Sequence, residues 1–260
     1  MVKGKKENPR ILKDQINHLL RRIGYEIRKG PRTISGITVE NDFFPKHSWI
    51  KKFDFHTILD IGANQGQFAA RFRLLFPQAM IYSFEPIPEV FGLLCERFKE
   101  DALFKGFNVA LGEASGTFDF YQNEFTDSSS FLPMKALHKE SFPFTKNEQR
   151  ISLPVETLDH MAESMPSLKT PLLIKIDVQG FERMVILGGI QTIKKAEVLI
   201  VEVSFQELYE NQEPFDTIYT LLRGLGFTFI GNYDQLLSPK DGSILQADAI
   251  FLNQSIQRAD

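Results

Sequence analysis

The stretch TILDIGANQGQFAARF, Thr57 to Phe72, decides the fold. A β-branched apolar run passes through two glycines into a helical pattern, a strand, turn and helix of the kind that binds ligands at the carboxyl ends of strands in open α/β sheets. What the turn lacks narrows the ligand. A Walker-type phosphate loop ends in Gly-Lys-Ser/Thr, whose lysine and hydroxyl reach phosphate and magnesium, whereas Gly66 is followed by Gln67 and Phe68. A dinucleotide loop needs three glycines in G-x-G-x-x-G, whereas Ala63 and Asn64 follow Gly62 and only Gly66 comes later. Asp60 stands just before the turn, where a carboxylate repels a pyrophosphate but accepts hydrogen bonds from a cationic amino-acid moiety, directly or through water. The expected ligand is a positively charged nucleoside without phosphates, and S-adenosylmethionine has that character.

A second carboxylate supports this reading. Glu85 ends the second strand, 25 residues after Asp60, where an acidic side chain can take both ribose hydroxyls. At the end of the third strand, NVALG sets Asn108 beside a small apolar surface, Val109 and Ala110, suited to adenine. The expected cofactor-binding set is Asp60, Gly62, Ala63, Asn64, Gly66, Phe68, Glu85, Pro86, Asn108, Val109 and Ala110.

Outward from this unit, short β-rich runs alternate with helical patterns from about Phe55 onward, the signature of a parallel sheet with helices on its faces. HTILDIG, AMIYSFE, FKGFNVALGE, PLLIKIDVQG and AEVLIVEVS read as the core strands. Helices are expected from Gly66 to Phe76, from Pro88, well placed for a first turn, to Lys99, after Gly180, and in PFDTIYTLLRGLG. GTFDFYQN reads as an added antiparallel strand. ISLPVETL with a short helix to Glu163 restores order, and FTFIGN and ADAIFL read as two closing strands around a Pro-Lys-Asp-Gly turn. Residues 122–150 lack periodicity and read as a lid or binding loop, or as a disordered segment. Within them FTDSSSFLPM, Phe125 to Met134, combines hydroxyls with an aromatic, a face suited to a sugar or polyol.

The 260 residues carry a formal charge of −3, which argues against a dedicated nucleic-acid binder. Residues 1–30 differ: nine Lys or Arg stand against three Asp or Glu. Ile11, Leu12, Ile16, Leu19, Leu20 and Ile23 recur there at helical spacing, so residues 1–54 read as a basic amphipathic helix and linker, and 55–260 as the catalytic domain. That helix either packs on the body with a solvated basic rim or, through residues 11–23, meets anionic lipid or a partner. The lone Cys95, expected in core packing, permits no intrachain disulfide, and no apolar run approaches the length of a membrane span. A cytoplasmic protein, at most peripheral to a membrane, is expected; its oligomeric state is not legible.

ILDIGANQGQFAARFRLLFPQAMIYSFEPIP, NVALGEASG, LLIKIDVQGFERMVILGG, VEVSFQELYE and the closing ADAIFL together resemble the FkbM family of S-adenosylmethionine-dependent methyltransferases, over about residues 55–252. The resemblance implies an α/β class I methyltransferase, Rossmann-like fold: a seven-stranded, mostly parallel sheet with an antiparallel last strand and helices on both faces. It implies methyl transfer to a hydroxyl oxygen, with Asp60, Gly62, Asn64 and Gly66 on the cofactor loop and Glu85 on the ribose. Many members carry Glu where this chain has Gln179. If that carboxylate is a base or metal ligand elsewhere in the family, this protein uses another residue or lacks the feature.

A sulfonium is already an activated donor, so the enzyme mainly aligns the acceptor oxygen, excludes water and accepts a proton. A base belongs where the fourth and fifth strands end. Asp177 is the first choice as base or acceptor-orienting group and Glu202 the second; Lys175 completes the catalytic set. The bland readings are a helix cap for Asp177 and a lysine partner for Glu202. His18, His47, His56, His138 and His160 are too scattered for a zinc site, and no metal is expected, although magnesium on Asp177 and another carboxylate stays open. His138 is a lesser base candidate, read first as a solvated loop residue. The expected acceptor is a small-molecule or glycan hydroxyl, with sugars ahead of polyketides or other secondary metabolites. A non-catalytic nucleoside-binding module and a nicotinamide-dependent oxidoreductase are the rival classes.

Overall fold

The computed structural model describes residues 32–34, 37–39, 46, 48–123, 129–135, 137–138, 148–165 and 168–257. The amphipathic helix expected over residues 11–23 and the first part of the FTDSSSFLPM loop lie outside the described residues. The chain divides into two units, Met1–Trp49 and Ile50–Asp260. In the first, β1 (Arg32–Ile34) pairs antiparallel with β2 (Ile37–Val39).

The second unit runs β3 (Thr57–Ile61), α1 (Gln67–Leu75), β4 (Met80–Phe84), α2 (Pro88–Arg97), β5 (Phe104–Phe107), β6 (Ala110–Leu111), β7 (Gly116–Asn123) and β8 (Glu148–Glu156). It continues with α3 (Leu158–Glu163), β9 (Leu172–Ile176), α4 (Glu182–Leu187), α5 (Ile190–Ile193), β10 (Val198–Ser204), α6 (Phe215–Gly224), β11 (Phe227–Leu237) and β12 (Ile244–Asn253). Seven strands form one sheet in the order β5-β4-β3-β9-β10-β12-β11. β3, β4, β5, β9 and β10 pair in parallel, and β12 is antiparallel to both of its neighbours. The expected sheet with its antiparallel last strand is present.

Every residue of β3 and β9 is buried, as expected of largely apolar strands covered on both sheet faces, and the burial takes in the polar Thr57, Asp60 and Lys175. One face meets Val185 and Ile186 of α4 and Ile218 and Leu222 of α6, in a cluster with Leu59, Ile61, Ile174, Ile176, Leu199 and Val201. By the period-two alternation of strands, Asp60 and its register partner Lys175 point to the other face, where α1 brings Phe68. The strand order reverses direction between β3 and β9, and a ligand crevice belongs outside the carboxyl ends of strands at such a point.

Two expectations need correction. FKGFNVALGE is not one strand: it leaves the main sheet after Phe107, and Ala110–Leu111 joins a separate three-stranded sheet, order β6-β8-β7. The break falls where the Asn108 side chain donates to the Glu85 and Pro86 carbonyls, at 2.9 and 3.0 Å, turning the chain across the strand ends. The Cys95 thiol is half-buried rather than sealed in the core.

Candidate active site

The turn after β3 is built from internal hydrogen bonds. Gly62 and Ala63 donate their N–H groups to Phe84 O at 3.0 and 2.9 Å, Gly66 N–H reaches Ala63 O at 2.8 Å, and Gln65 N–H reaches Asn64 Oδ1 at 2.7 Å. Asn64, in the left-handed region at φ 48°, donates its N–H to Glu85 Oε2 at 2.9 Å. Every N–H from 62 to 66 is therefore spent within the protein, and no backbone cradle is left for a pyrophosphate. This counts against the nicotinamide reading. Gly62 is obligatory for a separate reason: a Cβ there would lie 1.8 Å from Asp177 O, because the ends of β3 and β9 meet at this point.

Glu85 is buried, and its other oxygen accepts Ile87 N–H at 2.9 Å. A carboxylate offers about four acceptor positions, so it can hold the turn and still receive ligand hydroxyls. Pro86, Ile87, Val109, Ala110 and Leu111 form an apolar wall beside it.

Across the switch point lies an ionisable cluster. Buried Lys175 donates to Asp177 Oδ2 at 2.7 Å and stands 5.4 Å above the Phe68 ring. Burial works against its charge, but the carboxylates of Asp177, Asp248 and Asp60 outweigh burial and raise its pKa. Gln179 Nε2 donates to Asp177 Oδ1 at 2.8 Å and to both Glu202 oxygens at 3.0 Å, while Tyr209 OH donates to Gln179 Oε1 at 2.9 Å. Burial pushes Glu202 well above the ordinary carboxylate range, reinforced by Asp177, Glu182 and Asp248. Burial likewise lifts Asp248 to about 6 against the pull of Lys175.

These groups surround a cavity of about 650 Å³, within the usual range for small-molecule sites. Of the expected cofactor residues, Gly62, Ala63, Asn64, Phe68, Glu85, Pro86, Val109 and Ala110 line it, as do the expected catalytic residues Lys175, Asp177 and Glu202. Asp60, Gly66 and Asn108 act from behind the wall. Gly66, at φ 79°, lets α1 approach α2, since a Cβ would meet Leu94 and Phe98 at 2.7 Å. Asp60 is fully buried beneath the turn, neither of its oxygens has a hydrogen-bond partner, and burial lifts its pKa to about 6 against the attraction of Lys175.

The bland readings of the two acids also change. Asp177 does not cap the following helix, whose N-terminus has no side-chain cap; buried Glu182, in its first turn, instead accepts the N–H groups of Val178 and Gly180 in the preceding loop at 3.0 and 3.1 Å. Burial raises Glu182 to about 7 despite these bonds. Glu202 is bonded to Gln179 while Lys175 serves Asp177. His138 is buried at the cavity, its ring 5.3 Å from that of Tyr209, and is not solvated. Gln179, noted in the sequence only as a departure from the family's Glu, also lines the cavity, as do Tyr233, Asp234, Gln246, Asp248 and Arg71, which were not expected. The alternation in ADAIFL could have revealed Asp248, a carboxylate on a buried strand; nothing in the sequence marks Arg71. Among the described residues no group of three or more His, Cys, Asp or Glu is arranged to hold a metal ion.

Five carboxylates line the cavity, Glu85, Asp177, Glu202, Asp234 and Asp248, against Arg71 and the ion-paired Lys175. Even with Glu202 held toward its neutral form the acids outnumber the two cations, a balance that favours a cationic ligand, and the residues present fit a sulfonium nucleoside.

Comparison with known proteins agrees. Residues 60–229 match the family described as Methyltransferase FkbM domain. The 2-O-methyltransferase NoeI of Sinorhizobium fredii is 34% identical over 171 residues, covering 64% of this chain and 70% of that protein. The 31-O-demethyl-FK506 methyltransferase FkbM of Streptomyces tacrolimicus is 26% identical over 205 residues, 70% of this chain and 76% of that one. The crystal structure of Methyltransferase FkbM from Methylobacillus flagellatus KT aligns at 12% identity and a TM-score of 0.47 over 76% of this chain and 44% of that one, so this chain spans less than half of that protein. The chain belongs to the FkbM methyltransferase family and is by that membership an O-methyltransferase, for which the family implies S-adenosylmethionine as methyl donor.

Proposed function

We propose that this enzyme methylates a sugar hydroxyl of a small molecule or glycan. The observation that carries the reading is the polar part of the cavity lining. There Asp177, Gln179, Glu202, Asp234, Gln246 and Asp248 offer a dense set of acceptors beside Phe131, matching the many donors and apolar faces of a sugar ring. The activity in the name of the relative NoeI, 2-O-methyl transfer, lends support. A secondary-metabolite hydroxyl, as the name of the Streptomyces relative indicates for that protein, is the rival acceptor.

In this reading Glu85 receives the ribose hydroxyls, Val109 and Ala110 face the adenine, and Asp60 stabilises the cationic amino-acid end from beneath the turn. When bound, S-adenosylmethionine supplies the methyl group from its sulfonium. Asp177 and Glu202 handle the acceptor, orienting its hydroxyl and taking its proton, and Lys175 holds Asp177 in place. Phe68 and Phe131 help exclude water.

Calorimetric titration of the full chain with S-adenosylhomocysteine, with NAD as control titrant, tests the donor site. Micromolar binding of the first alone is expected, followed by an acceptor screen in which sugars precede polyketides. Glu85→Ala should weaken that binding by about 10 to 100-fold, and undiminished affinity would remove Glu85 from the site.

A further inference from the structure

We propose that Gln179 is a positioning residue whose side-chain amide ties Asp177 and Glu202 into one unit and tunes Glu202 as the proton-accepting member. The inference rests on the reading of these two acids as the acceptor-handling pair. Its basis is one nitrogen at a node of three carboxylate oxygens, 2.8 Å from Asp177 Oδ1 and 3.0 Å from each oxygen of Glu202. With both acids ionised, the amide orientation has one solution. Tyr209, fully buried, donates its hydroxyl proton to Oε1, and a flipped amide would set its carbonyl against the three carboxylate oxygens.

The backbone is held as firmly as the side chain. Gln179 occupies the left-handed region at φ 54°, a conformation that costs energy for a non-glycine residue. Ser130 Oγ donates to its carbonyl at 2.6 Å, and the N–H groups on either side, of Val178 and Gly180, are anchored on Glu182 Oε1. A strained residue fixed from three directions at a cavity wall indicates a geometry that the site requires.

The two acids differ in what engages them. Asp177 has the Lys175 ammonium on one oxygen and the amide on the other. Glu202 receives from Gln179 a neutral donor shared between its oxygens, and it faces Asp177, Glu182 and Asp248 as like charges, with Lys175 opposing them. Burial and these carboxylates favour its protonated form, and the amide, by donating to the ionised form, restrains that preference. A negatively charged side chain at 179 would put a third carboxylate at the node; the neutral amide holds the acids together without adding charge.

The test needs no acceptor. Carboxyl-carbon NMR titration of the full chain labelled with [5-13C]glutamate, with Glu202→Gln for assignment, reads the Glu202 midpoint directly. A midpoint above the ordinary glutamate range is expected. Gln179→Leu should raise it by about one pH unit, a tenfold gain in proton affinity, while S-adenosylhomocysteine affinity stays within about twofold. Tyr209→Phe, which frees the amide to rotate, should move the midpoint the same way by less, and it carries the test if the leucine variant does not fold. An ordinary Glu202 midpoint, or one that neither variant moves, overturns the proposal. Failure of the wild-type chain to bind S-adenosylhomocysteine would instead count against the donor-site reading and leave the midpoint readable.

Discussion

Gly62 combines two demands at one position. Its φ of 79° favours glycine, and a Cβ would lie 1.8 Å from the Asp177 carbonyl oxygen, which is backbone and cannot swing aside. Gly62→Ala must therefore separate β3 from β9 at the switch point. Left-handed strain and steric displacement together should cost about 3–5 kcal/mol, read as a lower urea midpoint with an unchanged slope; a loss below about 1 kcal/mol would mean that the strand ends yield freely. The sequence made this glycine visible as part of a turn, but its contact lies 115 positions away along the chain, at Asp177. Asp60 teaches the complementary lesson. Its position before the turn was legible, but its complete burial beside its register partner Lys175 is something no local pattern reports. Gln179 was visible only as a departure from the family pattern, because its partners come from β10 and from Tyr209.

Elements with a strong period were legible because burial enforces the period. PLLIKIDVQG and AEVLIVEVS are dominated by apolar residues, since both faces of β9 and β10 are covered, and each formed where expected. FKGFNVALGE defeated the same logic: its residues suit a strand on either side of Asn108, and only the amide bonds to Glu85 O and Pro86 O divide it. Asn108 thus shapes the Val109–Ala110 wall without lining the cavity. Asn108→Ala leaves two carbonyls without these donors and should lower stability by about 1–2 kcal/mol. It should also weaken S-adenosylhomocysteine binding as Val109 and Ala110 lose their place. Hydrogen exchange should report faster opening confined to residues 104–111, and uniform exchange across the sheet would show that Asn108 does not act locally. The loop 129–135 lacked periodicity because it packs irregularly, through Ser130 on Tyr121 and Gln179 and a bridge from Met134 to Tyr209.

At the scale of the molecule, the alternation of strands and helices was legible and the family resemblance implied the seven-stranded sheet, whereas the concentration of acids at one point of it cannot be read from a net charge of −3. Asp60, Asp248 and Glu182 all have raised pKa values, to about 6, 6 and 7, chiefly through burial. The sign follows from linkage. An acid whose folded value exceeds its unfolded value binds more protons in the folded state between the two, so stability falls as pH rises through that window. For Asp60 the window runs from 3.8 to about 6, and its full cost above that pH is about 3 kcal/mol. Asp60→Asn removes the cost. Relative to wild type, the variant should gain about 2–3 kcal/mol in unfolding free energy between pH 4 and pH 8, measured by urea denaturation at both. An equal difference at the two pH values would mean that Asp60 is solvated or paired in solution. The fold thus keeps destabilising charge under the cavity floor, where a bound cation would relieve it, and the same titrations repeated with S-adenosylhomocysteine should show a shallower wild-type decline as its ammonium group favours the ionised acid.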